Sequence, residues 1–335
     1  CIRDRLLVGG TEEQKQKWLG AIAQGNSLVA YAVTEPAAGS DVAGIKTKAD
    51  PVVDDSGETV GYKINGTKQF ISTGGAADFI TLLARAPEGL TFFVVEKGTK
   101  GFSSGKSEEK HGIRSSQTSP LTFEDVFVPI ENLIGGVPGK GLKQANKVFG
   151  YTRVMVAAMG LGPGEAALDI VIPYAKQRIV SGSALSEKQG YTHKLVVPNA
   201  VRLEAAASYI EEVAARLDSG ENDLEVEGSI AKYYATEASN KTADDAMQAL
   251  GGYGYINEYE VEKIKRDVKI ACIYEGTSEI QQSIISIFRW RTAIKSKGMF
   301  YKEISQEMEK LNETSSDLGC SFYSTAAGAL NDTIN

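Results

Sequence analysis

The period of hydrophobicity changes twice along this chain, near residue 27 and again after Pro129, and the second change divides a β part from a helical part. From 27 to about 133 the apolar residues come in short runs: SLVAYAVT, TVGYKI, TKQFIS, FITLLAR, TFFVVEK and LTFEDVFV. Runs of Val, Ile, Phe, Tyr and Thr at this length read as strands. Asn65-Gly66 falls between YKI and TKQFIS, and because both residues tolerate positive φ the dipeptide predicts a tight hairpin there. From about 140 to 291 long Ala-, Leu- and Glu-rich stretches space their apolar residues as helices do, over 141–178, 186–219, 222–250 and 276–295. Gly162-Pro163-Gly164 and Pro173 predict a kink or break in the first of these. GGYGYINEYEV (251–261) reads as an ordered, Gly-rich linker. Ahead of the strands, TEEQKQKWLGAIAQG (11–25) starts on a Thr cap and ends on glycine, as one short amphipathic helix does. From 301 an amphipathic segment and then small polar residues suit a peripheral helix with a frayed end.

Composition removes several classes of function. At 335 residues and 42% apolar, the chain has material for two or three cored domains. A net charge of −7 offers no basic stripe for nucleic acid. The longest nearly apolar stretch, VMVAAMGLGPG (154–164), is about half the ~20 residues of a membrane helix, so no span is expected. Cys1, Cys272 and Cys320 form no disulfide framework or metal pair, which fits a reducing compartment, the cytoplasm or a mitochondrial matrix. The N-x-[ST] triplets at Asn65, Asn240, Asn312 and Asn331 are then chance. Two histidines, His111 and His193, leave little room for His-rich metal sites or Ser-His-Asp catalysis, so no metal site is expected and acid–base chemistry should fall on a carboxylate. The first residue is Cys and the opening segment lacks the regions of a signal peptide, so a truncated start is expected.

Individual motifs are weak. GFSSGKS (101–107) is one residue short of a P-loop and no apolar helix follows, so a surface loop is the better reading. No G-x-G-x-x-G lies between a strand and a helix. YAVTEPAAGSD (31–41) offers backbone N–H groups and the Ser40 hydroxyl to a phosphate, but alone it reads as a loop holding a turn. In IYEGTSEIQ (273–281), Glu275 precedes a cap-like Gly276-Thr277-Ser278, which places a base beside helix-terminal N–H groups or is simply an acid on a helix dipole. Arg153 and Arg178 read as helix-end arginines, and Gln248 to Gly252 as a helix stop.

In this order, YAVTEPAAGSD, GYKINGTKQFISTGGAADF, KHGIRSSQT with FEDVFVP, FGYTR, QALGGYGYINEYEVEKIKRD and IYEGTSEIQ resemble the acyl-CoA dehydrogenase flavoprotein family, over about residues 5 to 291. The resemblance implies an α+β multidomain fold: a central antiparallel β-barrel-like domain followed by an all-α four-helix C-terminal domain, usually in a homotetramer. On this chain, 1–25 would be a remnant of an N-terminal helical domain, 26–133 the central β domain, 134–295 the helical bundle and 296–335 an extension. It implies FAD, with Tyr31, Val33, Thr34 and Ser40 along the flavin and its phosphates and Phe70 and Ser72 against the ring. Phe70 stands where many members have Trp. Arg178, Gln189, Gln248, Gly251 and Gly252 would reach the FAD of a neighbouring subunit, with Thr277 and Glu279 on its adenosine side. Arg178-Ile179-Val180-Ser181-Gly182 departs from the R-x-x-F-G run common in the family and loses an aromatic contact to FAD. Ser40, Phe149, Thr152, Arg153, Tyr274 and Gly276 would line the acyl-CoA, and Glu275 matches the catalytic base.

The implied reaction is α,β-dehydrogenation of an acyl-CoA thioester, with electrons passed to an electron-transferring flavoprotein. An enoyl-CoA reductase of the acryloyl-CoA type would use the same site in reverse. A non-catalytic flavin-binding relative is a third reading, against which the acidic balance and the intact Glu275 argue.

Overall fold

The computed structural model describes residues 4–221 and 224–314. Packing divides the chain into two compact units, one ending at Ser278 and one beginning at Glu279.

The first unit opens with helix Asp4–Gly9 and a helical stretch over 12–23 that includes one π turn, Lys15–Leu19. Thr11 and Gln14 form the expected capping box. Trp18 is buried with its ring 4.8 Å from that of Phe79, and the Gln14 side-chain amide donates to the carbonyls of Glu131 and Leu133. The leading helix is thus part of the β domain's core.

Seven strands make one sheet: β1 (Val29–Ala32), β2 (Lys48–Val53), β3 (Thr59–Ser72), β4 (Phe79–Ala86), β5 (Gly89–Glu96), β6 (Phe102–Ser104) and β7 (Thr118–Pro129). Their order is β1-β4-β2-β3-β7-β6, with β5 also paired to β4. Most pairings are antiparallel, but β1 runs parallel to β4, so the half-barrel is mixed. Along β5, Phe93 and Val95 join one buried cluster with Leu82 and Ile64, while Phe92 and Val94 join another with Leu83 and Trp18. Both faces are covered, which is why β4 and β5 read as unbroken apolar runs.

The hairpin expected at Asn65-Gly66 does not form. Strand β3 runs straight through it, and the pair instead marks a bulge between Ile64 and Gly66 in the β7 register. Gly66 has φ 152°, and a Cβ there would lie 2.5 Å from Thr47 Oγ1, just ahead of the neighbouring strand β2. The Asn65 side chain is taken by Asp125, accepting from its N–H at 2.8 Å. A dipeptide suited to a turn therefore serves close strand approach. The tight hairpin lies at Pro87-Glu88, between paired Ala86 and Gly89. GFSSGKS begins as the exposed edge strand β6.

The helical part is built on Gly141–Gln177, which is continuous through Pro163 and Pro173, so the expected break is absent. Each proline deletes one amide donor, and close packing against the helix Glu225–Leu250 offsets the loss. A Cβ on Gly160 or Gly164 would come within 2.7 Å of Thr236 Cγ2 or 2.6 Å of Ser239 Oγ, and the Ser239 hydroxyl donates to the Leu161 carbonyl. Within this helix, Tyr151–Gln177 is long and apolar enough to cross a bilayer, well beyond the eleven residues of 154–164. In the fold Val154, Ala157, Leu161 and Leu168 join the buried cluster of Leu203, Ile210 and Ala235, as in a core helix. Helix Val197–Asp218 completes that cluster. After Leu250 the chain makes a short 3-10 turn, Gly251–Gly254, where the sequence predicts an ordered linker, then helix Val261–Val268. The second unit holds nearly all of helix Ser278–Lys295 and helix Met299–Thr314.

Candidate functional site

Three groups of sequence-predicted residues occupy three places in the fold. The first is where β1 ends. Lys68 is fully buried, and its Nζ donates to Glu35 Oε1 at 2.8 Å and to the Val33 carbonyl at 2.9 Å. Glu35 also accepts from the N–H groups of Lys46 and Thr47. Burial works against the charge on Glu35, yet Lys68 and these N–H groups outweigh it and hold the carboxyl at about 2. Burial in turn lowers Lys68 to about 8 despite its partner. The Gln69 N–H donates to the Thr34 carbonyl, so Val33 and Thr34 lie beside the Phe70 to Ser72 segment. There the β3–β7 register breaks between Lys68 and Ile71, and Phe70 adopts φ 58° with its ring 64% exposed. An aromatic ring held out to solvent on a left-handed backbone is a costly local state, and such states gather at ligand sites. Ser40 and Ser72 are exposed, Val33 is buried, and half-buried Tyr31 lies with its ring 6.0 Å from Phe92. This ledge of Thr34 and Phe70, edged by hydroxyls, fits a flat polar ring system such as a flavin.

The second place is the helical core. Thr152 and Arg153 are buried on the long helix. Arg153 Nη1 donates to Ser229 Oγ at 3.0 Å and lies 3.6 Å from Glu225 Oε1. The Thr152 hydroxyl is buried with no hydrogen-bond partner among the described residues. Glu275 follows a turn in which the Tyr274 N–H donates to the Ile270 carbonyl, and it has φ 53° ahead of Gly276 at φ 90°. Lys232 Nζ donates to the Gly276 carbonyl at 2.7 Å. The charge of Glu275 attracts Arg153, opposing the burial that lowers the guanidinium, and it adds to the burial that raises the Tyr274 phenol. Arg153, Tyr274, Glu275 and Gly276 are therefore brought together. Thr277 is half-buried next to them in sequence; Glu279 is exposed on the first turn of helix Ser278–Lys295, in the second unit. The side chain of Phe149 lies outside the described residues.

The third is a cavity of ≈ 520 Å³ lined by Arg178, Gln248, Gly251 and Gly252 together with Tyr174 and Tyr191. The Tyr191 and Tyr174 hydroxyls donate to the carbonyls of Ala249 and Leu250, and burial, helped by Tyr174, pushes the Tyr191 phenol to about 12. Gly251 closes the preceding helix at φ 59°. Gln189 is exposed nearby in sequence but does not line this cavity. The chain beyond Arg178 forms a two-residue hairpin, Ile179–Val180 with Ser183–Ala184, turning on Ser181 and Gly182 at φ 51° and 82°.

Sequence reasoning missed Lys232, Ser229 and Glu237. On paper EVEGSIAKYYATEASN is an Ala-rich packing helix. The available signal was Lys232 at the same helical face as Ala235, Ser239 and Ala243, small residues that all point inward.

The chain is similar to known proteins over most of its length. The family model for the acyl-CoA dehydrogenase middle domain matches residues 30–126, and that for the acyl-CoA dehydrogenase C-terminal domain matches residues 139–287. The chain is similar to the acyl-CoA dehydrogenase of Bacillus subtilis, 42% identical over 286 residues, covering 84% of this chain and 73% of that protein. It is 39% identical over 286 residues to the caffeyl-CoA reductase–Etf complex subunit CarC of Acetobacterium woodii, with the same coverage of 84% and 73%. Among solved structures, the butyryl-CoA dehydrogenase of Megasphaera elsdenii superposes with a TM-score of 0.79 at 39% identity, over 85% of this chain and 73% of that one.

Proposed function

The chain belongs to the acyl-CoA dehydrogenase family, and on that premise we propose that it carries out FAD-dependent α,β-dehydrogenation of an acyl-CoA thioester to the 2-enoyl-CoA. The observation that carries the proposal is Glu275, a carboxylate held in a left-handed turn beside the buried, charged Arg153.

Bound FAD supplies a hydride acceptor for the substrate β-carbon. Everything else falls to the chain. An α C–H is a weak acid, so Glu275 must meet it as an ionised carboxylate in a site that excludes water. Arg153 favours that ionised form by attraction, while Ser229 and Glu225 fix the guanidinium in place. The N–H adjoining the Glu275 side chain donates to the thioester carbonyl and stabilises the charge that builds there as the proton leaves. Tyr274, Thr152 and Ser40 border the thioester and its CoA arm. Tyr31, Val33, Thr34, Ser40, Phe70 and Ser72 hold the flavin. Arg178, Gln189, Gln248, Gly251 and Gly252 meet the FAD of a second copy of the chain, and Thr277 and Glu279 fall on its adenosine side, so the working protein is at least a dimer and, on the family's pattern, a homotetramer. An electron-transferring flavoprotein takes the electrons, in a reducing compartment.

A second reading is favoured by the caffeyl-CoA reductase subunit among the relatives: the same residues returning a proton to the α-carbon of a 2-enoyl-CoA. Anaerobic mixing of the FAD-loaded full chain with a panel of acyl-CoA thioesters separates the two. Bleaching of the flavin by a saturated thioester supports dehydrogenation. Turnover of enoyl-CoA only, with a reduced flavin re-oxidised by it, supports reduction.

A further inference from the structure

We propose that Lys232 is the positioning residue of the proton-transfer site: by holding the Gly276 carbonyl it keeps Glu275 in the left-handed conformation from which the carboxylate works. The inference rests on the dehydrogenase reading above and assigns a new residue within it.

Lys232 is 0% exposed, and its Nζ reaches the Gly276 carbonyl at 2.7 Å. Five residues on along the same helix, Glu237 accepts from the Ser278 hydroxyl, which also donates to the Cys272 carbonyl at 3.4 Å. The segment carrying the base is thus tied to one helix on both sides of Thr277, and Cys272 Sγ adds a further tie to the Thr236 carbonyl at 3.5 Å. Between Tyr274 and Gly276 the backbone turns at φ 53°, a conformation that residues bearing a Cβ adopt only when their surroundings impose it. A methionine of the same reach would fill the space without the cost of desolvating an ammonium group, so packing alone does not account for a lysine here.

The charge has a second consequence. Lys232 is faced by Glu237 from its own helix, by Cys272 and Glu275 from the segment that follows the helix Val261–Val268, and by Arg153 from the long helix. Burial is the largest influence and lowers the ammonium to about 8; Glu237 and Glu275 oppose the shift, and Arg153 adds to it. Below that pH Lys232 is cationic and, with Arg153, favours the ionised form of Glu275. Above it the charge is lost and the tether to Gly276 weakens from an ammonium donor to an amine donor. Proton abstraction should decline on the acid side as Glu275 is protonated and on the alkaline side as Lys232 is neutralised.

The test compares the FAD-loaded full chain with Lys232→Met and Lys232→Arg. Hydrogen exchange without substrate reads the tether, and the pH profile of flavin reduction by a saturated acyl-CoA reads the charge. In Lys232→Met, exchange over residues 272–278 should quicken at least ~10-fold while the strands of the β domain are unchanged. Its reduction rate at neutral pH should fall at least ~10-fold with FAD retained, the acid limb should move to higher pH, and the alkaline limb should vanish. Lys232→Arg should recover most of the rate. Wild-type exchange and a wild-type pH profile in Lys232→Met overturn the proposal, as does a slower rate with both limbs unmoved, which marks a structural role only. Should Lys232→Met not fold, the wild-type profile decides, because no decline between roughly pH 7 and 10 is incompatible with a working charge on Lys232. If no thioester is turned over by the wild type, the dehydrogenase reading fails, while the exchange comparison still decides whether Lys232 holds the segment.

Discussion

Lys68 and Glu35 form a buried ion pair at 2.8 Å, with side chains 0% and 6% exposed, and the same ammonium group holds the Val33 carbonyl. The pair ties the end of β1 to β3, and the ledge of Thr34 and Phe70 stands on it. Removing one partner strands the other charge in the interior. Lys68→Met should therefore cost about 3 to 5 kcal/mol of stability, against about 1 for an exposed ion pair. Urea denaturation at neutral pH is the measurement, and a loss under about 1 kcal/mol would show that the pair contributes nothing beyond a surface bridge.

The pair also sets an acid limit. The Glu35 carboxyl is held at about 2 when folded, against 4.5 for an ordinary glutamate, so the folded state binds fewer protons between those values. Its stabilising contribution is complete above the ordinary value and is lost as pH falls through the folded one. Stability should drop between pH 4.5 and 2 in the wild type more steeply than in a Glu35→Gln, Lys68→Met double variant. Identical slopes in urea titrations across that window would remove Glu35 as the cause.

Phe70 carries backbone strain in the service of a ligand. Glycine at this position relieves roughly 1 to 2 kcal/mol of left-handed strain and gives back roughly 0.5 to 1 in backbone entropy. Phe70→Gly should leave the flavin-free protein equally stable or more stable by up to about 1 kcal/mol, while FAD binding weakens at least ~10-fold. A destabilised variant with normal FAD affinity would mean that the ring serves packing.

Glu275→Gln keeps the shape of the side chain and loses the base. With FAD binding unchanged, the rate of flavin reduction by acyl-CoA should fall at least ~100-fold, in the lower range for a positioned general base. Stopped-flow absorbance under anaerobic conditions measures it, and a near-wild-type rate would assign the base elsewhere.

The cavity at Arg178 and Gln248 predicts both cofactor choice and assembly. If it receives a neighbour's FAD, with Thr277 on the adenosine side, then FMN, which lacks the adenosine, should bind at least ~10-fold more weakly than FAD. Arg178→Ala should reduce FAD affinity and shift light-scattering mass toward smaller species together. An FAD-loaded monomer would contradict the shared site.

Legibility differed from element to element for a physical reason. The helices 225–250 and 278–295 were readable to within a few residues because one amphipathic face suffices to specify a helix. Asn65-Gly66 misled, since its tolerance of positive φ serves a bulge as well as a hairpin, and only the approach of Thr47 decides between them. Of the kink or break that Pro163 and Pro173 suggest, the break is absent, and around Pro163 the helix is held by contacts of Gly160, Leu161 and Gly164 with Thr236 and Ser239, more than seventy positions away.

By itself the sequence determined the change from strands to helices, the order of the family motifs and a carboxylate, Glu275, standing just ahead of the helix start at Gly276-Thr277-Ser278. Each of these is written in neighbouring residues. The tertiary structure alone decided that Lys68 meets Glu35 across 33 positions, that Lys232 meets Gly276 across 44, and that Arg178 and Gln248 share a cavity. A buried charge has to be paired, but its own sequence neighbourhood carries no mark of the partner, which is chosen when strands register and helices pack.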